Sequence, residues 1–401
     1  MPEAVIVATG RTPIGRANKG SLVECRPDDL SALVLRAVLD KVPQLDPAQV
    51  EDVLLGCGQP AGEAGYNVAR VAAILAGMDS VPGVTVNRYC SSSLQTIRMA
   101  AHAIRAGEGD IFIAAGVETV SRYMHGASDT GPHNSEFAEA EERTKIRAPA
   151  VTEPWSPAAG LPDVYIAMGQ TAENVAEYEN VGRLEMDEFA LLSQTRAVAS
   201  QQNGFFEREI IPVTLSDGTV VTKDDGPRPN TTLEGLSNLQ PVFREGGTVT
   251  AGNACPLNDG AAAVIVMSDT KAKALGITPL ARIVASGVSG LNPEIMGLGP
   301  VDACRQTLAR ANMTIDDIDL VEINEAFAAQ VIPSAKHLGI SWDKLNVNGG
   351  AIALGHPFGQ TGARIMTTLL NGLEDSGKTF GLESMCVGGG QGMAMIVERL
   401  N

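Results

Sequence analysis

Apolar residues recur along this chain with two alternating periods. Leu30, Leu33, Val34, Ala37 and Val38 share one helical face; a polar turn follows, and the run Val53-Leu54-Leu55 predicts a strand. Val81 to Val86 reads as a second strand and the residues from Ser91 as a helix, which puts Cys90 on their junction. Val301 to Asn324 repeats the helix–turn–strand pattern of Leu30 to Gly56. Setting Val50 opposite Ile318, an offset of 268, brings Leu45 onto Met313, Val53 onto Val321, Leu55 onto Ile323 and Gly56 onto Asn324. A second correspondence sets Val86-Asn87 beside Val347-Asn348. Each pair is followed by a glycine- or serine-rich turn and a helix carrying Ile97-Arg98-Met99 or Arg364-Ile365-Met366, at offsets of 261 and then 266. Two ordered matches with nearly equal offsets imply duplication of one α/β unit.

Strands alternating with helical runs favour crossover connections, so each half predicts a mixed sheet covered by helices. We place the first half at residues 1–120 and 247–269 and the second at 270–401. Residues 121–246 have a different character and read as an inserted loop domain. They hold the acidic run Glu136 to Glu142, prolines at 149, 154, 157 and 162, and turn signals at Asn203-Gly204 and Asp217-Gly218. Helical patterns at Thr171 to Tyr178 and Met186 to Gln202 argue against a floppy linker. Val249 to Met267 returns to core character and completes the first half.

Composition narrows the function. At 401 residues the chain exceeds the size at which one core stops growing, and 44% hydrophobic content with 43 glycines and few aromatics fits tightly packed α/β units rather than disorder. A formal charge of −17 opposes a general nucleic-acid binder or a polybasic membrane-surface protein, so an anionic substrate would need a local basic patch. The N-terminal residues run straight into a strand pattern without a basic region and long apolar core, and no apolar stretch approaches about 18 residues; neither a secretory signal nor a membrane span is expected. Cys25, Cys57, Cys90, Cys255, Cys304 and Cys386 are scattered singly, and the five histidines lack metal-ligand spacing. A reducing cytoplasm and no metal site are the expectation.

Cys90 carries the strongest chemical signal. The first N–H groups of a helix lack intrahelical partners and, with the macrodipole, stabilise a thiolate, which predicts a depressed thiol pKa there. A free cysteine more often packs as a small hydrophobe. The triplet Ser91-Ser92-Ser93 beside Cys90 and the triplet Gly388-Gly389-Gly390 beside Cys386, however, suit a backbone that closely approaches a substrate.

Five strings, in order along the chain, resemble the thiolase family: Asn87-Arg88-Tyr89-Cys90-Ser91-Ser92-Ser93, Thr250-Ala251-Gly252-Asn253-Ala254-Cys255, Asn324-Glu325-Ala326-Phe327, Asn348-Gly349-Gly350-Ala351-Ile352-Ala353-Leu354-Gly355-His356-Pro357 and Cys386-Val387-Gly388-Gly389-Gly390-Gln391-Gly392. The resemblance implies an α/β thiolase fold, in which two duplicated five-stranded halves pack in layers around buried helices with a loop domain inserted in the first. It also implies cleavage of a 3-oxoacyl-CoA by CoA to acetyl-CoA and a shortened acyl-CoA, or the reverse condensation. Coenzyme A and acyl-CoA then enter as substrates, with no tightly bound cofactor, and the protein is expected to be a homodimer or homotetramer.

In the roles the resemblance assigns, Cys90 is the nucleophile of a two-step ping-pong reaction, His356 its base and Cys386 the acid that protonates the departing enolate. His356 and a water held by Asn324 stabilise the enolate oxygen, and the backbone N–H groups of Cys90 and Gly388 stabilise the tetrahedral intermediate. Arg228 and Thr232 fall near the nucleotide end of CoA, though a surface loop explains Arg228 about as well. Phe243 and Ala251 line the pantetheine channel and Phe327 the acyl end. Two departures stand out. Cys255 replaces a serine that contacts pantetheine in many relatives, which puts that contact in doubt. Ala167 stands where acetoacetyl-specific relatives tend to have histidine, a pattern closer to degradative thiolases and a roomier acyl wall. The competing readings are an acetoacetyl-CoA-forming acetyltransferase, a ketosynthase-like condensing enzyme, which would not need Cys386, and a non-catalytic acyl-CoA-binding protein, which would be expected to lose Cys90, His356 or Cys386.

Overall fold

The computed structural model describes residues 2–148 and 154–401. Pro149, one of the prolines noted above, lies outside the described residues. In chain order come β1 (Ala4–Arg11), β2 (Gly15–Arg16), α1 (Pro27–Asp40), β3 (Asp52–Cys57), α2 (Val68–Leu75), β4 (Gly83–Val86), α3 (Ser92–Ala106) and β5 (Ile111–Thr119). Next are α4 (Ala138–Arg147), α5 (Met168–Tyr178), α6 (Arg183–Gln202), the short strands β6 (Val213–Thr214) and β7 (Val220–Val221), and α7 (Leu233–Ser237). The chain continues with β8 (Asn258–Ser268), α8 (Asp269–Leu275), β9 (Ala281–Gly290), α9 (Gly299–Ala311), β10 (Leu320–Ile323) and α10 (Ala328–Leu338). It ends with α11 (Ala351–Leu354), α12 (Thr361–Asp375), β11 (Phe380–Val387) and β12 (Gln391–Arg399).

The strands pair in the order β10-β11-β12-β9-β1-β8-β5-β3-β4, with β2 attached to β8. Outward from β1 the first half runs β8, β5, β3, β4; outward from β9 the second runs β12, β11, β10. The senses match as well: β5, β3 and β4 are mutually parallel, as are β11 and β10, and the remaining pairs are antiparallel. The 268-residue offset places β3 on β10. Two corrections to the expected pair of five-stranded sheets follow. The halves join into one hydrogen-bonded sheet, because β1 and β9 pair over Val5–Arg282 and Ile6–Ala281. The fifth place of the second half is a single bridge from Val321 to Leu345. Asn346 then turns into the left-handed region at φ 46°, and its carboxamide bonds both the N–H and the C=O of Ile323 at 2.9 Å. A side-chain amide thus replaces the next peptide of the missing strand.

Side chains on β8 show how the layers form. Ala261, Ala263, Ile265 and Met267 enter the core built with Leu30, Val34, Leu35 and Val38 of α1 and Ala69, Ala72 and Ala73 of α2. Their neighbours Ala262, Val264 and Val266 enter the core of Leu94, Ile97, Ala101 and Ile104 on α3 and Ile365, Met366 and Leu369 on α12. In β12 the same alternation sends Ala394 and Ile396 toward α9 and α10, and Met393, Met395 and Val397 toward α3 and α12. The period of two thus commits each half to helices on both faces, with α3 and α12 shared at the centre.

Residues 121–246, as far as described, give no strand to the large sheet beyond the bridge Arg11–Ile210. Fully buried Arg11 fixes this segment to the end of β1: Nε donates to Glu209 at 2.7 Å, and Nη1 and Nη2 clasp Asp224 at 2.7 and 3.0 Å. Breaking such a buried pair costs about 3–5 kcal/mol. Asp217-Gly218 turns the β6–β7 hairpin with φ 86° at Gly218, whereas Asn203-Gly204 ends α6. The acidic run enters a 3₁₀ turn and α4, whose sole buried side chain, Ala140, leaves almost no apolar stripe to read.

Candidate active site

Between β4 and α3 the chain makes a tight elbow. Tyr89, the residue before Cys90, adopts φ 41°, a conformation that costs a non-glycine residue free energy and has to be held by its surroundings. The serine triplet supplies much of that hold. Ser92 Oγ accepts from Arg88 N at 2.9 Å and donates to Tyr89 O at 2.7 Å, Asn87 Oδ1 accepts from Tyr89 N at 2.8 Å, and Ser91 Oγ donates to Arg88 O. Ser93 Oγ reaches the other half, accepting from Ala363 N at 2.9 Å. The first turns of α3 and α12 are thereby joined, which sets the His356 loop beside Cys90.

His356 is buried, and its hydrogen bonds fix its tautomer. The Thr361 hydroxyl donates to Pro357 O at 2.8 Å, so at 2.6 Å it accepts from His356 Nδ1–H. Nε2 therefore carries the lone pair and faces Asn324 Nδ2 at 3.3 Å. Asn324 Oδ1 is buried without a hydrogen-bond partner among the described residues. The loop is held around this pair: His356 N donates to Asn258 Oδ1 at 3.0 Å, Gly355 has φ 113°, and a Cβ there would lie 2.5 Å from the Asn258 side chain. Glu325, next to Asn324, accepts from Ile352 N, Asn346 Nδ2 and the Ser193 hydroxyl.

Burial, then the nearby Arg364 charge, pushes the His356 pKa down from 6.5 to about 3. The unfolded chain therefore binds the extra proton first as pH falls from 6.5 toward 3, and the folded state loses stability across that window by about 1.4 kcal/mol per pH unit. His356→Asn is expected to lose this slope. Urea unfolding of both proteins at pH 6.5, 5.5 and 4.5 checks it; a constant stability difference between them would contradict the neutral buried imidazole.

Cys386 is the last residue but one of β11, fully buried, and Cys90 is 8% exposed. The expected depression of the Cys90 pKa is overturned: burial outweighs the backbone N–H groups of Gly388 and Cys90 itself, and the thiol is pushed up to about 11. Burial also drives Cys386 well above the ordinary thiol range, with charge on Cys90 and Cys255 opposing ionisation further. Charge on Cys90 likewise opposes ionisation of Cys255, so the three cysteines share one electrostatic neighbourhood. The resting site holds neutral thiols and a neutral imidazole. Gly389 and Gly390 take φ of 78° and 81°, which turn the chain from β11 into β12. Gly388 itself leaves space in front of the Tyr89 ring and the Met168 sulfur, 3.6 and 3.7 Å from where a Cβ would stand.

The residues expected at the CoA end divide. Phe243 lies over Gly169 on the first turn of α5, where a Cβ would meet its ring at 2.2 Å, and stands edge-on to Phe327 at 6.1 Å. Met168 connects that wall to Gly388. Ala251 is exposed on a loop bound to the Asn324 string through Cys255 N to Ala326 O and Ala328 N to Asn253 O. Arg228 is exposed, lines a cavity of about 250 Å³ with Gln194, Val198 and Gln202, and feels the charge of Arg16, giving a local basic spot on an acidic chain. Thr232 caps α7, accepting from Gly235 N at 3.1 Å. Sequence reasoning missed Thr361, Asn258 and the buried carboxylates Glu118 and Glu325. A threonine opening a helix reads as a cap, and a glutamate after a strand reads as solvated.

Residues 4–270 match the model of the thiolase N-terminal domain and residues 277–399 that of the thiolase C-terminal domain. The chain belongs to the thiolase family. Among its thiolase relatives, the beta-ketoadipyl-CoA thiolase of Acinetobacter baylyi is 45% identical over 409 residues, covering 100% of each chain. The 3-ketoacyl-CoA thiolase of Pseudoalteromonas translucida is also 45% identical over 409 residues with full coverage of both. The crystal structure of the Bacillus anthracis acetyl-CoA acetyltransferase superposes with a TM-score of 0.86 at 39% identity, covering 100% of this chain and 99% of that one. The thiolase fold implied by the five strings is therefore shown. No helix among the described residues is long and apolar enough to cross a membrane.

Proposed function

We propose that this thiolase cleaves 3-oxoacyl-CoA with CoA through an acyl-Cys90 intermediate. The observation that supports the reading is the His356–Asn324 pair at 3.3 Å, with His356 on the loop leading into α12, the helix that Ser93 of α3, next to the Cys90 elbow, binds through Ala363 N. His356 Nε2 takes the Cys90 proton and so turns from acceptor to donor. The thiolate attacks the 3-keto carbon, with Cys90 N–H and Gly388 N–H stabilising the oxyanion. The C2–C3 bond breaks, the acetyl-CoA enolate takes a proton from Cys386, and its oxygen is held by His356 Nε2–H and by a water for which Asn324 Oδ1 is the free acceptor. Incoming CoA gives its thiol proton to Cys386 and attacks the acyl-enzyme; Cys90 leaves and recovers its proton from His356. Every proton is returned. A buried, neutral Cys90 keeps the nucleophile from reacting before substrate excludes water and aligns the base.

Ala167 supports the degradative direction over the acetoacetyl-forming one. It is exposed at the start of α5, next to the Met168 that borders Gly388, so the acyl wall ends in a methyl group where an imidazole would narrow it. Purified protein assayed against 3-oxoacyl-CoAs of graded length, with 3-oxoadipyl-CoA and a bulky steroid-like acyl chain included, is expected to cleave medium or bulkier chains at least as efficiently as acetoacetyl-CoA. A strong preference for acetoacetyl-CoA would reverse the reading of Ala167. Six unpaired thiols support a reducing compartment, the cytoplasm. A second copy is expected on edge strand β4, where Val84 is exposed and the 95% exposed Tyr66 stands beside Asn67, whose amide bonds Gly83 O.

A further inference from the structure

Glu118, near the end of β5, is 1% exposed and has no ion pair among the described residues, yet both oxygens of its carboxylate are occupied by donors. Oε2 accepts from Gly58 N at 2.8 Å and Gly359 N at 2.9 Å; Oε1 accepts from Gln59 N at 3.1 Å and the Tyr123 hydroxyl at 3.0 Å, with the Cys57 thiol at 3.9 Å. Three of these donors are backbone N–H groups, which cannot act as acceptors. Protonation on Oε2 would point a hydrogen at a backbone donor, and on Oε1 it would need the Tyr123 hydroxyl to turn and accept, so the donor set favours the anion while burial opposes it.

What the donors belong to gives the carboxylate its meaning. Gly359 closes the loop that begins at His356, and it is pressed onto the ends of β3 and β5, where a Cβ would stand 2.1 Å from Val117 O and 2.7 Å from Gly56 O. Gln59 extends in the opposite direction. Its Oε1 accepts from Ser128 N, the Ser128 hydroxyl and Asp129 N at 2.7, 2.9 and 3.0 Å, and its Nε2 donates to Asp129 Oδ2 at 2.5 Å. Asp129 lies 3.5 Å from the hydroxyl of Tyr89, the strained residue before the nucleophile. One buried anion therefore ties the loop of the base to the loop that borders the nucleophile.

We propose that Glu118 is a positioning residue of this thiolase, its carboxylate fixing where His356 stands against Cys90 by holding Gly359 on one oxygen and the Gln59–Asp129 loop on the other. Only a carboxylate does both. A glutamine at 118 has a single acceptor oxygen and keeps either the Gly58–Gly359 pair or the Gln59–Tyr123 pair, turning an NH2 toward the donors of the other.

The inference rests on the thiolysis reading, so the parent enzyme is measured first; absence of turnover there fails the reading and not this proposal. With an active parent, Glu118→Gln is expected to lower kcat per alkylatable Cys90 by about 100-fold, the scale of a misplacement near 1 Å, while KM for the 3-oxoacyl-CoA stays within about threefold. Counting active sites by Cys90 alkylation removes any loss due to misfolded protein. A kcat per site within about twofold of the parent, or a rise in KM with kcat preserved, would overturn the proposal. Should Glu118→Gln not fold, Tyr123→Phe withdraws one donor from the same oxygen and is expected to lower kcat about threefold at constant KM; unchanged kcat would then be the overturning result.

Discussion

Cys90→Ser is expected to eliminate the acyl-enzyme and to reduce thiolysis by about 10⁴-fold or more, the scale on which removal of a catalytic nucleophile acts. Serine preserves the elbow, since the side chain is nearly isosteric and the bonds that hold Tyr89 come from Asn87, Ser91 and Ser92. It removes the chemistry. The site raises even a thiol to about 11, and an alcohol in the same buried position would hold its proton far more tightly. With a neutral His356 of pKa about 3 as acceptor, proton transfer from serine before attack is prohibitively uphill, whereas transfer from Cys90 becomes feasible as the substrate carbonyl accepts charge between the Cys90 and Gly388 N–H groups. Intact-mass measurement after mixing with acyl-CoA should show one acyl group on the parent protein and none on the variant. Full thiolysis by Cys90→Ser would refute the covalent mechanism.

That same balance marks where sequence reasoning succeeds and where it stops. The elbow at Cys90 is legible because an apolar strand, a serine triplet and a helical pattern meet there. Its helix-terminus donors are also present, but the sign of the pKa shift is not readable. It depends on how completely α12, β11 and α5 exclude water from the thiol, a property of the closed site. The duplication is legible because apolar spacing survives in β3 and β10. The fate of corresponding positions is not. At Gly56 a Cβ would lie 2.5 Å from the Ser92–Ser93 backbone, so glycine makes room for the helix that carries Cys90, while its counterpart Asn324 faces His356. The fifth strand of the second half disappears for a similarly local reason, the single left-handed residue Asn346 and its side-chain amide. Thr361 and Glu118 lie beyond sequence reading because their partners, Pro357 O and Gly359 N, are supplied by the packing of one half against the other.

Cys386→Ser should separate the two halves of the reaction. Among the described residues Cys386 makes no hydrogen bond to the elbow, and it lies on a different strand end from Cys90, so the variant should keep Cys90 open to iodoacetamide and to acylation by acyl-CoA at near-parental extent. The step it loses is the proton on carbon. A thiol, even raised by burial, is a stronger acid than a serine hydroxyl in the same place, so proton transfer to the enolate carbon has more driving force from Cys386 than from a serine. Thiolysis is expected to fall about 10²–10⁴-fold, the usual contribution of a placed general acid. Exchange of the acetyl-CoA methyl protons with deuterated solvent should fall with it. This combination distinguishes the carbon acid from the nucleophile, because Cys90→Ser loses acylation while leaving Cys386 and the His356–Asn324 pair in place to exchange those protons. Loss of Cys90 alkylation in the Cys386→Ser protein would instead mean that Cys386 supports the elbow, and a thiolysis rate near that of the parent would assign the enolate proton to another donor.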